Sequence, residues 1–345
     1  MQLPREVIVG DKTLELVWDI CRKLGFSNSA LVVTGPNTRK IAGERIVDQL
    51  CDAGVETEYI TVSSSTMWDV RAVEEKIREL TPQVVLGIGG GTKIDVAKLS
   101  SARRDLPFIS IPTTASHDGI ASPVASVKGQ NKPYSITAQS PMAIIADTLV
   151  IVQASHRLVA SGCGDVVSKF TSVNDWKLAH KVKGEYYGDY AASLALMSAR
   201  LVVRNAEDIK PEREEGVRVL LEALISCGVA MSIAGSSRPC SGSEHLFSHA
   251  LDVIAPDGAM HGEQCGVGAI MMAYLHGLDW KQIKTTLQKV GAPTTAEELG
   301  IAPESVIKAL VEAQSIRPER YTILEKEKLD YESAEELTRA TGVVE

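Results

Sequence analysis

Three consecutive glycines, Gly89-Gly90-Gly91, separate an apolar run from a resumed apolar periodicity, and no other segment constrains the fold as tightly. Val84-Val85-Leu86-Gly87-Ile88 reads as a buried strand, and Ile94, Val96, Ala97 and Leu99 return at near-helical spacing. Strand, glycine turn and helix together build an anion site. Glycines let the backbone approach a phosphate, and first-turn N–H groups with the helix dipole hold its charge. The segment is not G-x-G-x-x-G, because Thr92 stands where the last Gly belongs. Taken alone, it reads equally well as a tight strand-to-helix turn with no ligand.

The residues around this turn alternate strand and helix signals. Ala30–Thr34, Thr57–Val62, Pro107–Pro112 and Met142–Asp147 read as further strands, with helical periodicity over residues 38–53 and 69–80. Such alternation predicts a parallel sheet with ligands at the carboxyl ends of its strands. After about residue 155 the character changes to helices jointed by Gly, Pro and Asn. A chain of 345 residues exceeds what one core of ~250–300 residues supports. Two units are therefore expected, an α/β one over 1–154 and an all-helical one over 155–345, with a ligand cleft between them.

Composition excludes several classes. A net charge of −8 with no basic cluster argues against a nucleic-acid surface. The opening Met1-Gln2-Leu3-Pro4-Arg5-Glu6 carries no basic-then-apolar leader, and no apolar run approaches the ~18–20 residues of a membrane span, so no membrane insertion and a cytoplasmic location are expected. Cys21, Cys51, Cys163, Cys227, Cys240 and Cys265 form no C-x-x-C pair, which points to neither a disulfide framework nor a thiolate metal site.

Three later segments can carry chemistry. Thr113-Thr114-Ala115-Ser116-His117-Asp118-Gly119-Ile120-Ala121-Ser122-Pro123 follows a strand end and is dense in hydroxyls; it is either a surface loop or part of the glycine-turn crevice. Ser241-Gly242-Ser243-Glu244-His245-Leu246-Phe247-Ser248-His249 opens a helix that Ser241 or Ser243 could cap, with His245 and His249 four apart on one face. That spacing suits two metal ligands. His261 follows the Pro256-Asp257-Gly258 turn and begins another apolar helix, giving three histidines in seventeen residues of a chain with seven. Asp165 reads as a helix-start cap, or as the carboxylate completing an oxygen-plus-two-imidazole site. His156, His180 and His276 are isolated and read as surface or core-satisfied. Glu325–Glu336 reads as a solvated helix face.

Together, Gly89-Gly90-Gly91 with Asp95, Pro112-Thr113-Thr114-Ala115-Ser116-His117-Asp118, Gly164-Asp165 and the two histidine segments resemble the iron/zinc polyol dehydrogenase superfamily, which includes glycerol dehydrogenase and dehydroquinate synthase. The resemblance spans nearly the whole chain. Within it, Ser116-His117-Asp118-Gly119-Ile120-Ala121-Ser122 is similar to the archaeal sn-glycerol-1-phosphate dehydrogenases, whereas glycerol dehydrogenases more often read Ser-Thr-Asp-Ala-Pro there.

The resemblance implies a Rossmann-like dinucleotide-binding domain followed by an all-α metal-binding domain. By matching position it implies that Gly89, Gly90, Gly91, Thr92, Lys93, Ile94, Asp95, Thr113, Thr114, Ala115, Ser116 and Ser122 hold NAD or NADP. Asp165, His245 and His261 would bind Zn2+, and Asp118, Asp165 and His249 would be the catalytic residues against the substrate. Thus His261, not His249, joins His245 on the metal. The implied reaction is reversible reduction of dihydroxyacetone phosphate to sn-glycerol 1-phosphate, for archaeal lipid backbones, by a homo-oligomer. His249 is the candidate for relaying the hydroxyl proton, histidine being the side chain suited to proton transfer near neutral pH. Arg238, Lys169 and His117 are candidates for the substrate phosphate, each equally readable as a plain charge. Asn37, after the first strand signal, places no carboxylate against a 2′-phosphate, and Arg39 and Lys40 stand nearby, so NADP(H) is tolerable. Competing readings are a polyol dehydrogenase on unphosphorylated substrate, a lyase that recycles its NAD, and a silent binding protein.

Overall fold

The computed structural model describes residues 2–128, 133–256 and 258–345; Met1 and Asp257 of the expected turn lie outside the described residues. The strands are β1 (Glu6–Gly10), β2 (Ser29–Thr34), β3 (Glu56–Thr61), β4 (Val84–Gly89), β5 (Phe108–Pro112), β6 (Val124–Lys128), β7 (Pro133–Thr137) and β8 (Ala143–Asp147). Six of them form one sheet in the order β1-β8-β5-β4-β2-β3, and every neighbouring pair runs parallel. The expected parallel α/β unit is therefore present, and each expected strand is found with its ends shifted by a residue or two.

Burial explains the order. β2, β4, β5 and β8 are buried along their whole length, as apolar runs covered on both faces must be. β3, with Glu56, Glu58 and Tyr59 exposed, can only be an edge. The sequence signals gave no hint of β1, of the helix Val17–Lys23, or of the antiparallel β6–β7 pair. The periodic stretch 38–53 resolves into a short turn Pro36–Thr38, one wide turn Arg39–Gly43 and a helix Glu44–Asp52, with Gly43 packed on Thr34.

The chain leaves β2 for β3 on one side and, from β4, continues to β5 on the other. The crevice at the carboxyl ends of β2 and β4 is thus the point where the winding reverses, the usual seat of a ligand in such sheets. Gly35 closes β2 there, and the three glycines close β4.

Beyond β8 the described residues contain no further strand. The helices that matter here are His156–Val167, Lys169–Lys183, Glu214–Ala234, Ser243–Ile254 and His261–Leu275. Asp165 sits near the end of His156–Val167, not at a helix start. Gly162 and Gly164 lie inside the helix, where they permit close packing. A β-carbon on Gly162 would stand 2.0 Å from the Ala115 carbonyl oxygen, one on Gly164 2.2 Å from that of Gly262, and one on Gly262 2.0 Å from that of Ser161. The Asp165 and His261 helices therefore touch backbone to backbone.

Two further expectations change. Glu214–Ala234 has 21 residues and a mean hydropathy of 1.8, enough by length and composition to cross a membrane. Most of it is buried, with Leu220, Leu221, Leu224, Cys227 and Ala230 in the core. The acidic run Glu325–Glu336 is shared between two short helices, Ile323–Glu327 and Tyr331–Ala340, because Lys328 turns left-handed (φ 54°) and Asp330 caps the second.

Candidate active site

The glycine-turn side begins at the Gly91–Ala102 helix, whose cap position, Gly90, offers no side chain to its first turn. Across the crevice, the hydroxyls of Thr113 and Thr114 are buried with no hydrogen-bond partner. Buried hydroxyls left unpaired cost about 1–3 kcal/mol each, so this is a place built for a polar occupant. Gly89, Gly90, Gly91 and Thr92 frame the same turn, with Ile94 buried beneath it. Lys93 crosses the crevice floor against Gly35 and donates to the Ser63 carbonyl at 3.2 Å. Asp95 and Ser122 are also tied into the fold. Asp95 accepts from Lys98 at 3.0 Å and from the Ser126 N–H at 3.0 Å, and the Ser122 hydroxyl donates to the Val124 carbonyl at 3.1 Å. The Ser116 carbonyl accepts from the Ser161 hydroxyl at 3.3 Å, and Ala115 packs on Gly162. At the end of β2, Asn37 is exposed, while Arg39 is held by Glu44 at 2.9 Å and by the Tyr59 hydroxyl at 3.0 Å.

On the histidine side, Asp165 and Lys169 are both wholly buried, one helical turn apart. Lys169 Nζ lies 2.6 Å from Asp165 Oδ1 and 3.0 Å from Asp118 Oδ2, and the Asp118 N–H donates to Asp165 Oδ2 at 2.8 Å. Burial pushes the Asp165 carboxyl up, but Lys169 and then His261 outweigh it and hold it below the usual carboxylate range. Asp118 goes the other way, raised by burial and by the Asp165 charge. Burial opposes the charge on Lys169, yet the two carboxylates keep it firmly protonated.

One imidazole reaches toward this carboxylate and a second lies against the first. His245 Nε2 lies 3.8 Å from Asp165 Oδ1, and the His245 and His261 rings are 4.9 Å apart. Burial drives both below the ordinary histidine pKa, His261 to about 4, so both are neutral near pH 7, the form that ligates. Their tautomers follow from their partners. Glu244 Oε1 lies 2.8 Å from His245 Nδ1 and receives the Gly242 N–H, so the ionised carboxylate accepts from a protonated Nδ1. Ser248 gives its hydroxyl proton to Gln264 at 2.6 Å and so accepts from His261 Nδ1 at 3.0 Å. Each ring is left with a free Nε2 lone pair, as a metal ligand requires. His249 stacks on His261 at 6.0 Å; its Nδ1 is buried without a hydrogen-bond partner, 3.8 Å from Asp252.

Several residues here were invisible to the sequence reading. Glu244 is fully buried beneath His245, its carboxyl pushed up to about 7 by burial and then by Asp175. Asp175 accepts from the Ser243 N–H at 2.6 Å, the Ile323 N–H at 2.7 Å and His276 at 3.0 Å, so it fixes the start of the His245 helix; the cap position is Gly242, and neither Ser241 nor Ser243 caps it. Cys265 Sγ lies 3.6 Å from His261 Nε2 although no C-x-x-C signalled a thiol here. The signals existed in the i,i+1 Glu244-His245 and i,i+4 His261–Cys265 spacings. Of the phosphate candidates, Arg238 is buried and bound by both Glu185 oxygens and the Tyr321 carbonyl, and Lys169 is committed to its two carboxylates. His156 and His180 pair with backbone carbonyls.

His117 joins the two sides. Its Nε2 occupies the place of a β-carbon on Gly91, 1.6 Å from where that atom would stand, and its ring lies 6.5 Å from the His261 ring. The glycine turn and the histidine cluster thus face one space.

Residues 8–155 match the family described as iron-containing alcohol dehydrogenase. The chain is 54% identical over 344 residues to a protein of Methanosarcina mazei named glycerol-1-phosphate dehydrogenase NAD(P)+, covering 100% of this chain and 96% of that one. It is 53% identical to a protein of the same name from Pyrococcus furiosus, covering 100% and 99%. Its fold is similar to the crystal structure of glycerol dehydrogenase from Schizosaccharomyces pombe, with a TM-score of 0.81 at 21% identity over 98% of this chain and 89% of that one.

Proposed function

The chain belongs to the glycerol-1-phosphate dehydrogenase family of NAD(P)-dependent oxidoreductases, and from that premise we propose that it reduces dihydroxyacetone phosphate to sn-glycerol 1-phosphate, and the reverse. In this reading residues 1–154 bind NAD(P)(H), residues 155–345 hold Zn2+ and substrate, and the product supplies archaeal lipid backbones from the cytoplasm. The observation that carries it is His117 lying against Gly91 while 6.5 Å from the His261 ring, because hydride transfer needs cofactor and substrate in one space.

Asp165, His245 and His261 would hold the metal, which as a Lewis acid would polarise the substrate carbonyl and lower the pKa of the product hydroxyl. The chain's own residues do the rest. The first-turn N–H groups after Gly90 and the Thr113 and Thr114 hydroxyls receive the dinucleotide. Glu244 and Ser248 hold both imidazoles in the ligating tautomer. Asp118 contacts the substrate, and His249, whose Nδ1 lacks a partner, takes or returns the hydroxyl proton.

A chiral product assay with dihydroxyacetone phosphate and NADPH tests the function. The sn-glycerol 1-phosphate enantiomer is expected, with formation lost on chelation and restored by Zn2+. Preference for free glycerol would transfer the chain to the polyol dehydrogenases, and turnover without net NAD(P)H change to the lyases.

The support under His245 makes a separate prediction. Glu244→Gln keeps an oxygen that can accept from Nδ1 but removes the charge, and loss of such outer partners costs roughly 10–100-fold in metal affinity. Competition against a coloured chelator measures it; unchanged affinity would mean that Glu244 only packs.

A further inference from the structure

We propose that Arg320, with Arg317 beside it, binds the phosphate of the substrate and so sets the preference for a phosphorylated ketone over a free one; this rests on the function proposed above. Both arginines lie just beyond the helix Pro303–Ile316, in a turn where the Arg320 N–H donates to the Arg317 carbonyl at 3.0 Å. Both are half-buried. Arg320 reaches the segment that leads into the His245 helix. Its Nη1 donates to the Ser241 carbonyl at 2.6 Å and its Nη2 to the Ser237 hydroxyl at 2.8 Å, and Ser241 stands only a few residues ahead of His245. These partners are neutral and use two of the donors that a guanidinium fork carries. Among the described residues, no carboxylate pairs with Arg320 or with Arg317.

The charge around them is out of balance. Glu185 gives both its oxygens to Arg238, and Glu244 is spent on His245, the Gly242 N–H and Thr171. Burial, and then Arg238 and Arg317, bring Arg320 down to about 10, so it stays charged near neutrality without a counter-ion of its own. After burial and the His261, Lys169 and His249 charges, Arg320 is the next to push His245 down, so this guanidinium and the histidine cluster share one field. A phosphate dianion would offset the surplus, and its oxygens match the parallel N–H groups of a guanidinium. The other cations near the cluster are taken, Arg238 by Glu185 and Lys169 by Asp118 and Asp165.

Initial rates of the Zn2+-loaded full chain with dihydroxyacetone phosphate and with free dihydroxyacetone test this. The wild type is expected to favour the phosphorylated ketone. Arg320→Met is expected to raise the KM for it on the order of 10^2-fold, with a smaller change in kcat, and so to erase most of the preference. Arg320→Lys keeps the charge but loses the fork, and an intermediate loss is expected. Circular dichroism verifies folding, and Arg320→Lys carries the test if the methionine variant does not fold. If the folded variants kept the wild-type ratio of kcat/KM between the two ketones, Arg320 would not be the phosphate ligand, and the proposed function would stand without it. A rise in the KM for NADPH in place of that for the ketone would assign the arginines to the dinucleotide and overturn the inference too. A wild type that preferred free dihydroxyacetone would overturn both this inference and the function beneath it.

Discussion

Asp165→Asn is expected to lower turnover by on the order of 10^3-fold or more and to leave purified protein nearly metal-free. In the proposed reading the metal supplies several kcal/mol at the reacting oxygen, and each ~1.4 kcal/mol is tenfold in rate. The amide also disturbs what the carboxylate now satisfies. Lys169 Nζ and the Asp118 N–H both donate to Asp165, and an amide presents an NH2 to one of them. Lys169, wholly buried, would keep only Asp118 as counter-charge, and breaking a buried ion pair costs about 3–5 kcal/mol. Elemental metal content, steady-state rate and urea midpoint measured on one preparation separate the effects. A variant that kept its metal and turned over within a few-fold of wild type would remove Asp165 from the site.

The second large effect is expected from a single methyl group. Gly262→Ala places its β-carbon 2.0 Å from the Ser161 carbonyl oxygen, which is backbone and cannot rotate aside. The helices carrying Asp165 and His261 must then separate, and His261 is the very next residue. Overpacking of this kind costs about 1–3 kcal/mol or more, and a shift of even 1 Å between ligands costs on the order of 10^2-fold in rate. Gly10→Ala is the control, since its new methyl would meet only Thr13 Cγ2 at 3.8 Å. Metal affinity and denaturant midpoint should fall together in the first variant and hold in the second. If Gly262→Ala retained both, the close crossing would not be what sets the ligand spacing.

Much of the fold was legible because it depends on local periodicity. Buried parallel strands such as Val84–Gly89 announce themselves as apolar runs, and the helical half follows from its spacing. β1 escaped because five edge residues ending in Gly10 carry little alternation, and β6 and β7 because they sit in a polar, loop-like stretch. Asp165 reads as a helix-start cap because Asp is common there; only the neighbouring helix reveals why Gly162 and Gly164 are small. Asp165, His245 and His261 were named from family resemblance, and their convergence is tertiary. Lys169 looked like a free phosphate ligand, since nothing in sequence says that Asp118, 51 positions earlier, lies against it. Glu244 was hidden by being an acidic residue near a helix start, where acids are common for other reasons.

The doubly tethered Asp165 carboxylate has one more consequence. With one oxygen anchored by an ammonium and the other by a peptide N–H, its orientation is settled when the chain folds, before any ion arrives. The entropic toll of aiming it therefore falls on folding and not on metal capture. In the proposed reading, depletion and replenishment of the ion then become a traffic problem of diffusion into a berth whose carboxylate already stands aimed.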